Sequence, residues 1–304
     1  MRTAIMTGAS GYIGSHLAKE LIRQGWSVHA IVRPLSAIDA LNGSDGLTIH
    51  VHDGTTDGMI DIMKQAEDAS VVIHLASFFR AEHCTSEVEP LIQSNVLFAA
   101  QLVEAMCAVG IRNLINTGTS WQHYRDEAYN PVCLYAATKQ AFEAILKYYV
   151  EARSLSVINL KLFDTYGPND PRPKLFTLLR RAAASGLPLA MSPGEQLLDL
   201  VYIDDVVEAY LVAIEFMLGK MQPLLEDYAV TSGQHLSLQE IAAIYSKVTG
   251  VELPIQWGGR AYRDREVMVP WTKGQVLPGW VPRVDLETGI RRMEMNSARG
   301  HSFV

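Results

Sequence analysis

The sequence predicts an α/β fold, a doubly wound parallel sheet carrying a smaller C-terminal lobe. Three observations point there. Apolar runs of strand length alternate with helical stretches from Thr3 to Leu162. A glycine-rich turn, Gly8-Ala9-Ser10-Gly11-Tyr12-Ile13-Gly14, joins the first run to the first helix. Beyond Asp170 the alternation loosens, as in a lobe added to a sheet domain. We therefore expect a sheet domain over residues 1–170, with later segments such as 198–218 returning to it. A smaller lobe is expected over 171–295, and a disordered tail over 296–304.

Composition bounds the reading. The chain has 304 residues, 48% of them hydrophobic, enough for a large buried core. The net charge is −7, and no basic run or aromatic-interleaved basic patch occurs, which argues against a nucleic-acid partner. No apolar run approaches the ~20 residues needed to span a bilayer, so no membrane is expected. The start, Met1 to Met6, leads directly into the glycine turn and does not read as a signal peptide. Cys84, Cys107 and Cys133 are odd in number and lack metal-ligand spacing. No metal is expected, and a reduced, cytoplasmic compartment fits.

The elements follow in order. Thr3 to Thr7 reads as a buried strand and Ser15 to Ile22 as a helix. Strand, glycine turn and helix form the context of a dinucleotide loop. Gly8 permits the tight turn, Gly11 lets backbone approach a pyrophosphate, and Gly14 allows close helix–strand packing. Ser27 to Val32 is the next strand, ending in Arg33. A carboxylate at that place receives the ribose 2′-hydroxyl, whereas an arginine accommodates a 2′-phosphate. Arg33, helped by Ser36, therefore selects NADP(H) over NAD(H); the alternative is a solvated strand-end arginine.

Leu47 to His52 is the third strand, with Asp53-Gly54 placed to border an adenine. Ser70 to Leu75 is the fourth, ending in the small-residue turn Ala76-Ser77. Phe78, Phe79 and Arg80 then leave its carboxyl end, the edge at which open α/β sheets bind ligands. Core packing is the competing reading for the two phenylalanines. Asn95 to Val109 is an apolar helix, Asn113 to Asn116 the fifth strand, and Thr117-Gly118-Thr119-Ser120-Trp121 comes off its end.

Leu134 to Ala152 is a long helix. It and the 95–109 helix carry more apolar surface than one sheet face needs, which suggests a homodimer through a four-helix interface. Val157 to Leu162 is a strand, and Phe163 to Asp170 is turn-rich. Lys174 to Ser185 is a basic helix and Leu198 to Tyr202 a strand. A helix over Asp204 to Leu218 is capped by Asp204 or Asp205. Ser237-Leu238-Gln239-Glu240 opens another helix, to Thr249, with a capping box. Arg260 to Arg265 is a charged segment, and Val276 to Gly289 ends the fold.

The 134–152 helix holds Tyr135-Ala136-Ala137-Thr138-Lys139. Residues four apart share one helix face. An unperturbed tyrosine titrates at ~10 and a lysine at ~10.4. A neighbouring ammonium favours the phenolate, so the tyrosine could exchange a proton nearer neutrality.

Further markers stand in series: Thr7-Gly8-x-x-Gly11-x-x-Gly14, Asp53, Leu75-Ala76, Asn95, Thr119, Tyr135-x-x-x-Lys139, Tyr166-Gly167-Pro168 and Tyr202-Ile203-Asp204-Asp205-Val206. With them the chain resembles the extended short-chain dehydrogenase/reductase family, of the nucleotide-sugar epimerase and dehydratase kind, from Thr7 to about Met293. The resemblance implies a Rossmann domain and a small lobe with a nucleotide sugar in the cleft between them. It implies that Tyr135 is the acid/base, that Lys139 holds the nicotinamide ribose and depresses the tyrosine pKa, and that Thr119 hydrogen-bonds the reacting oxygen, with Ser120 as the substitute. Cofactor contacts are expected from Gly8, Ser10, Gly11, Tyr12, Ile13, Gly14, Arg33, Asp53, Gly54, Leu75, Ala76, Ser77, Thr117, Tyr135 and Lys139. Substrate contacts are expected from Phe78, Arg80, Trp121, His123, Asp164, Lys174 and Arg263.

Departures from the family pattern narrow the reaction. The Asp-Glu pair that the 4,6-dehydratases place after the threonine is here Ser120-Trp121, which disfavours dehydration. The usual asparagine before Tyr-Gly-Pro is Asp164. The usual diphosphate arginine is Leu198, leaving that contact to Lys174, Arg260, Arg263 or Arg265. Trp121-Gln122-His123, Leu134 to Lys139 and Leu162 to Pro168 look most like the 4-ketoreductases of deoxysugar pathways. Abequose and paratose synthases, acting on CDP-linked 4-keto-6-deoxyhexoses, are the nearest resemblance. The expected activity is NADPH-dependent reduction of a nucleotide-linked 4-keto-6-deoxy sugar. The alternatives are a 4-epimerase and a non-catalytic NADP(H)-sensing regulator; intact Thr119, Tyr135 and Lys139 argue against the regulator.

Overall fold

The computed structural model of the protein describes residues 2–36, 45–220 and 222–300, with 296–300 as backbone alone. Its centre is a parallel sheet built from β1 (Thr3–Thr7), β2 (Ser27–Val32), β3 (Leu47–Val51), β4 (Val71–His74), β5 (Asn113–Thr119), β6 (Ser156–Leu162) and a late strand, Leu225–Val230. The spatial order runs from the late strand through β6, β5, β4, β1 and β2 to β3. Every residue of β1 and β4 is buried, as expected of strands covered on both faces.

Two layers of helices cover the sheet. α1 (Tyr12–Arg23) turns Tyr12, Leu17, Ala18 and Leu21 inward. α2 (Thr56–Lys64) is N-capped by Thr55, whose hydroxyl accepts from the Gly58 N–H at 3.0 Å. A continuous helical run, Thr85–Val109, contains α3 (Val88–Ile92), a π-helical stretch (Gln93–Leu97) and α4 (Phe98–Val109). α5 is Leu134–Arg153. Leu102, Met106, Phe142 and Leu146 pack with Ile5, Val72 and Leu114 on one face of the sheet, while Leu17 and Leu21 pack with Ala4, Met6 and Ile73 on the other.

The strand order reverses between β1 and β4, so their carboxyl ends frame the crevice where such sheets bind ligands.

After β6 come β7 (Asp164–Tyr166), α6 (Leu175–Ser185), β8 (Leu189–Ala190), β9 (Leu197–Tyr202) and α7 (Ile203–Leu218). The late sheet strand is β10 (Leu225–Val230), followed by β11 (His235–Ser237), α8 (Leu238–Thr249), β12 (Ile255–Gln256) and α9 (Leu286–Gly300). β7, β9 and β11 form a small sheet, and β8 pairs with β12. α7 returns beside α1 and shares its core. Ser237 makes the expected capping box with Glu240.

Four expectations change in detail. The helix read from Asn95 begins at Thr85. Among the described residues it is long and apolar enough to cross a membrane, with mean hydropathy 1.4 over a window 33% buried. In the fold it lays Leu91, Ala99, Leu102 and Val103 inward and packs beside α2 and α5. α7 starts after Tyr202 without a side-chain cap. Asp205 instead accepts the Arg283 and Val284 N–H groups, both at 3.0 Å, tying the 280s to the sheet domain. α9 extends through Gly300, over part of the segment read as a tail; 301–304 lie outside the described residues.

Candidate active site

The glycine turn is a backbone cradle. Gly8 adopts φ +75°, and a Cβ there would lie 2.6 Å from the Ala76 nitrogen, so the turn rests directly on the chain leaving β4. Thr7 fastens the same junction. Its carbonyl accepts the Leu75 N–H at 3.2 Å and its hydroxyl the Ala76 N–H at 3.3 Å. Gly14 lies so close to the Gly8 carbonyl that any Cβ would collide. Gly11 is the N-cap of α1 and offers no side-chain acceptor, leaving the helix N-terminus open. A diphosphate fits this place: backbone that only glycine allows, at an uncapped helix N-terminus. Ser10 is exposed on the turn, while Tyr12 and Ile13 line the cleft beside it.

The residues expected on the adenosine side lie along the same edge. Thr7 pairs with Ile31, so Arg33 emerges beside the glycine turn on the same edge. It is exposed, and its guanidinium makes no ion pair among the described residues. Asp53 follows β3, but its carboxylate accepts the Thr55 N–H and hydroxyl, both at 2.8 Å, which lower its pKa. The Gly54 carbonyl accepts from Gln101 at 2.9 Å. Asp53 and Gly54 thus also shape the start of α2.

The residues expected to act as acid and base come from separate elements. Tyr135 and Lys139 lie one turn apart on α5, both buried, with Nζ 5.9 Å from the phenol ring centre. Thr119 ends β5, and its hydroxyl accepts the Trp121 N–H at 3.3 Å. Thr117, Thr119, Trp121, Tyr135, Asp164 and Lys174 share one cleft of about 280 Å³ with the glycine turn, Leu75 and Ser77. The Thr117 hydroxyl is also bonded to Tyr210 at 2.7 Å.

Burial raises the Tyr135 pKa; a hydrogen bond with Ser77 and the Arg172 charge act in the opposite direction. Desolvation of a phenolate is the largest influence, so the net direction is upward rather than the expected depression. Burial also lowers Lys139 to about 8, opposed by Glu143 and assisted by Lys161. His74, wholly buried and near Lys139, falls to about 3 and is neutral.

Two polar networks hold this geometry. Asn95, aimed inward from the π-helical stretch, accepts the Phe78 N–H at 2.8 Å. Its amide donates to the Phe78 carbonyl at 3.0 Å and to the Thr138 hydroxyl at 2.9 Å, joining the β4 exit to the helix of the Tyr/Lys pair. Below Thr119, Gln122 accepts the Thr119 N–H at 3.0 Å and donates to Glu143 at 2.9 Å, which is ion-paired with buried Lys161.

Substrate-side expectations divide. Trp121, Asp164 and Lys174 line the cleft, and Lys174 pairs with Asp164 at 3.1 Å. Arg263 lies over the Trp121 ring at 5.2 Å and pairs with Glu266 at 2.6 Å. His123 stacks on Trp271 at 3.9 Å and borders an adjoining recess with Arg263. Phe78 and Arg80 lie outside the cleft lining: Arg80 stacks on Phe78 at 4.3 Å and pairs with Glu87. Phe79 faces the cleft instead, edge-on to Tyr135 at 4.9 Å.

Sequence reasoning passed over Arg172, which lines the cleft, and Gln122, Glu143 and Lys161 beneath it. Glu143 had a signal, since it falls four residues beyond Lys139 on the same helix face.

The chain is similar to known proteins over most of its length. The model of the NAD dependent epimerase/dehydratase family matches residues 4–222. A CDP-abequose synthase of Salmonella muenchen is 28% identical over 295 residues, covering 95% of this chain and 96% of the relative. Among solved structures, a UDP-glucose-4-epimerase from Stenotrophomonas maltophila with bound NAD and formylated UDP-arabinopyranose superposes with a TM-score of 0.86 at 19% identity, covering 99% of this chain and 100% of that one. A UDP-N-acetylglucosamine 4-epimerase from Methanobrevibacter ruminantium M1, in complex with UDP-N-acetylmuramic acid, gives 0.84 at 21% identity, covering 98% and 99%.

Proposed function

Since the chain belongs to the NAD dependent epimerase/dehydratase family, we propose that it is an NADPH-dependent reductase of a nucleotide-linked 4-keto-6-deoxy sugar. One observation carries the reading: the Tyr135 and Thr119 side chains, two O–H donors, line one cleft with the glycine turn. A ketone being reduced develops negative charge on oxygen, and two positioned O–H donors stabilise it. The bound cofactor supplies the hydride. Thr119 and Tyr135 hold the carbonyl oxygen, and Tyr135 transfers its proton to that oxygen. Lys139, with a pKa of about 8, stays largely cationic at pH 7 and holds the resulting phenolate until solvent reprotonates it.

The glycine turn, Ser77 and Lys139 would hold the dinucleotide, with Arg33 taking a 2′-phosphate. NADP(H) and NAD(H) titrations into the wild type and Arg33→Ala test this choice. Equal wild-type affinity for both would refute it. Similarity to the CDP-abequose synthase supports a keto-sugar substrate. The test of function is a panel of CDP-, dTDP-, GDP- and UDP-linked 4-keto-6-deoxy sugars, followed by NADPH oxidation. Oxidation with at least one member supports the reading, and none with any would overturn it.

A 4-epimerase is the second reading, favoured by the epimerases among the solved neighbours. It would need a cofactor retained through both oxidation and re-reduction, whereas Arg33 at the end of β2 suits an exchangeable NADP(H). We also propose a homodimer through α5 and the 85–109 helix, on which Val88, Ile92, Leu97 and Tyr148 are exposed. A monomeric mass by light scattering at micromolar concentration would exclude it.

A further inference from the structure

Arg172 stands where the glycine turn, the loop after β7 and the Tyr/Lys pair meet. The Tyr12 hydroxyl donates to the Pro168 carbonyl at 3.2 Å, fastening that loop over the start of α1. The Arg172 guanidinium then lies over the Tyr12 ring, 4.9 Å from its centre. Asp170 fixes its orientation, accepting from Nε at 2.7 Å and from Nη2 at 2.6 Å. Nη2 also approaches the Thr165 carbonyl at 3.4 Å. Nη1 makes no hydrogen bond among the described residues. Arg172 lines the cleft together with Gly8, Gly11 and Gly14. A guanidinium held on one edge by a carboxylate and below by an aromatic face, with one amino group unused, is preorganised for a further oxyanion.

We propose that Arg172 binds the diphosphate of a ligand in this cleft, its Nη1 donating a charge-assisted hydrogen bond to a phosphate oxygen. The inference rests on the proposed reading of the cleft as a site for a dinucleotide and a nucleotide sugar. Either ligand carries a diphosphate, so the shared chemistry is the claim. Asp170 and Tyr12 act as positioning residues for the guanidinium.

The test measures dissociation constants by calorimetric titration for two probes separately, NADP⁺ and CDP. The proteins are the wild type, Arg172→Gln, Arg172→Lys and Asp170→Asn, each checked for folding by thermal unfolding. Arg172→Gln should weaken one probe roughly tenfold to a hundredfold, the worth of one hydrogen bond to a charged group. The probe affected identifies the diphosphate. Arg172→Lys keeps the charge without the fork, so it should fall between, and it carries the test if the glutamine variant does not fold. Asp170→Asn keeps one acceptor and loses the other half of the fork, so it should weaken the same probe by less than Arg172→Gln does. Binding unchanged within about twofold for both probes in Arg172→Gln would overturn the proposal. So would equal weakening in Asp170→Asn and Arg172→Gln, which would mean that Arg172 only orders the loop. Failure of the wild type to bind either probe would instead overturn the reading of the cleft, and the proposal with it.

Discussion

Replacing Lys139 by methionine should make the protein more stable and inactive. The side chain is 2% exposed, and burial lowers its pKa from 10.5 to about 8. That fall corresponds to about 3 kcal/mol against the folded state at neutral pH, at about 1.4 kcal/mol per pH unit. The sign follows from proton binding. Between pH 8 and 10.5 the unfolded chain holds a proton on this lysine that the folded chain has lost, so wild-type stability gains as pH rises through that window. Below pH 8 both states are protonated and the full cost stands. Methionine matches the apolar stem and removes the charge, while Glu143 keeps its ion pair with Lys161. Denaturant unfolding at pH 7 should show Lys139→Met more stable by about 2–3 kcal/mol, the difference shrinking toward pH 10.5. Turnover should fall by at least about a hundredfold. A variant less stable than the wild type at pH 7, or a difference independent of pH, would refute the argument that Lys139 is a charge buried for function.

Two further outcomes follow from the same geometry. Tyr135→Phe should lower turnover by about 10²–10⁴-fold, the usual worth of a positioned general acid, with NADP⁺ affinity by titration unchanged. Asn95→Leu removes hydrogen bonds to the Phe78 N–H, the Phe78 carbonyl and Thr138 while keeping the branching at Cγ. It should cost about 2–4 kcal/mol in urea unfolding and lower kcat/KM without moving the pH profile; undiminished stability would show that Asn95 does not anchor the β4 exit.

What could be read from the sequence follows the distance over which each feature is decided. β1, β2 and the Tyr135–Lys139 helix were legible because an apolar run or a glycine turn fixes them locally. β10 was not read, because Glu226-Asp227 hides a strand that only its edge position permits. There Asp227 faces outward enough to accept from Asn159 at 2.7 Å. α2 was obscured by Gly58 and by Asp57 and Asp61, although Thr55 supplied the cap. β7 exists through pairing with β9, a contact no local pattern announces. In the site, the glycine turn, Thr119 and Tyr135 were readable as residues, and the cleft they share follows from the strand order; Lys139 was readable too, and lies buried one turn further along the helix of Tyr135. The upward direction of the Tyr135 shift could not be read locally, because burial is a tertiary property. Arg172 sits between two prolines in a turn-rich segment, and only the fold carries it to Tyr12.

The central claim is net reduction, and isotope transfer tests it most directly. Purified protein is incubated with a 4-keto-6-deoxy nucleotide sugar and NADPH deuterated at the transferable position, and the product is analysed by NMR and mass spectrometry. The account predicts one deuterium at C4 of a 4-hydroxy product for each NADPH consumed, and no turnover without added cofactor. Interconversion of two saturated nucleotide sugars without added NADPH, with no deuterium entering either, would contradict it.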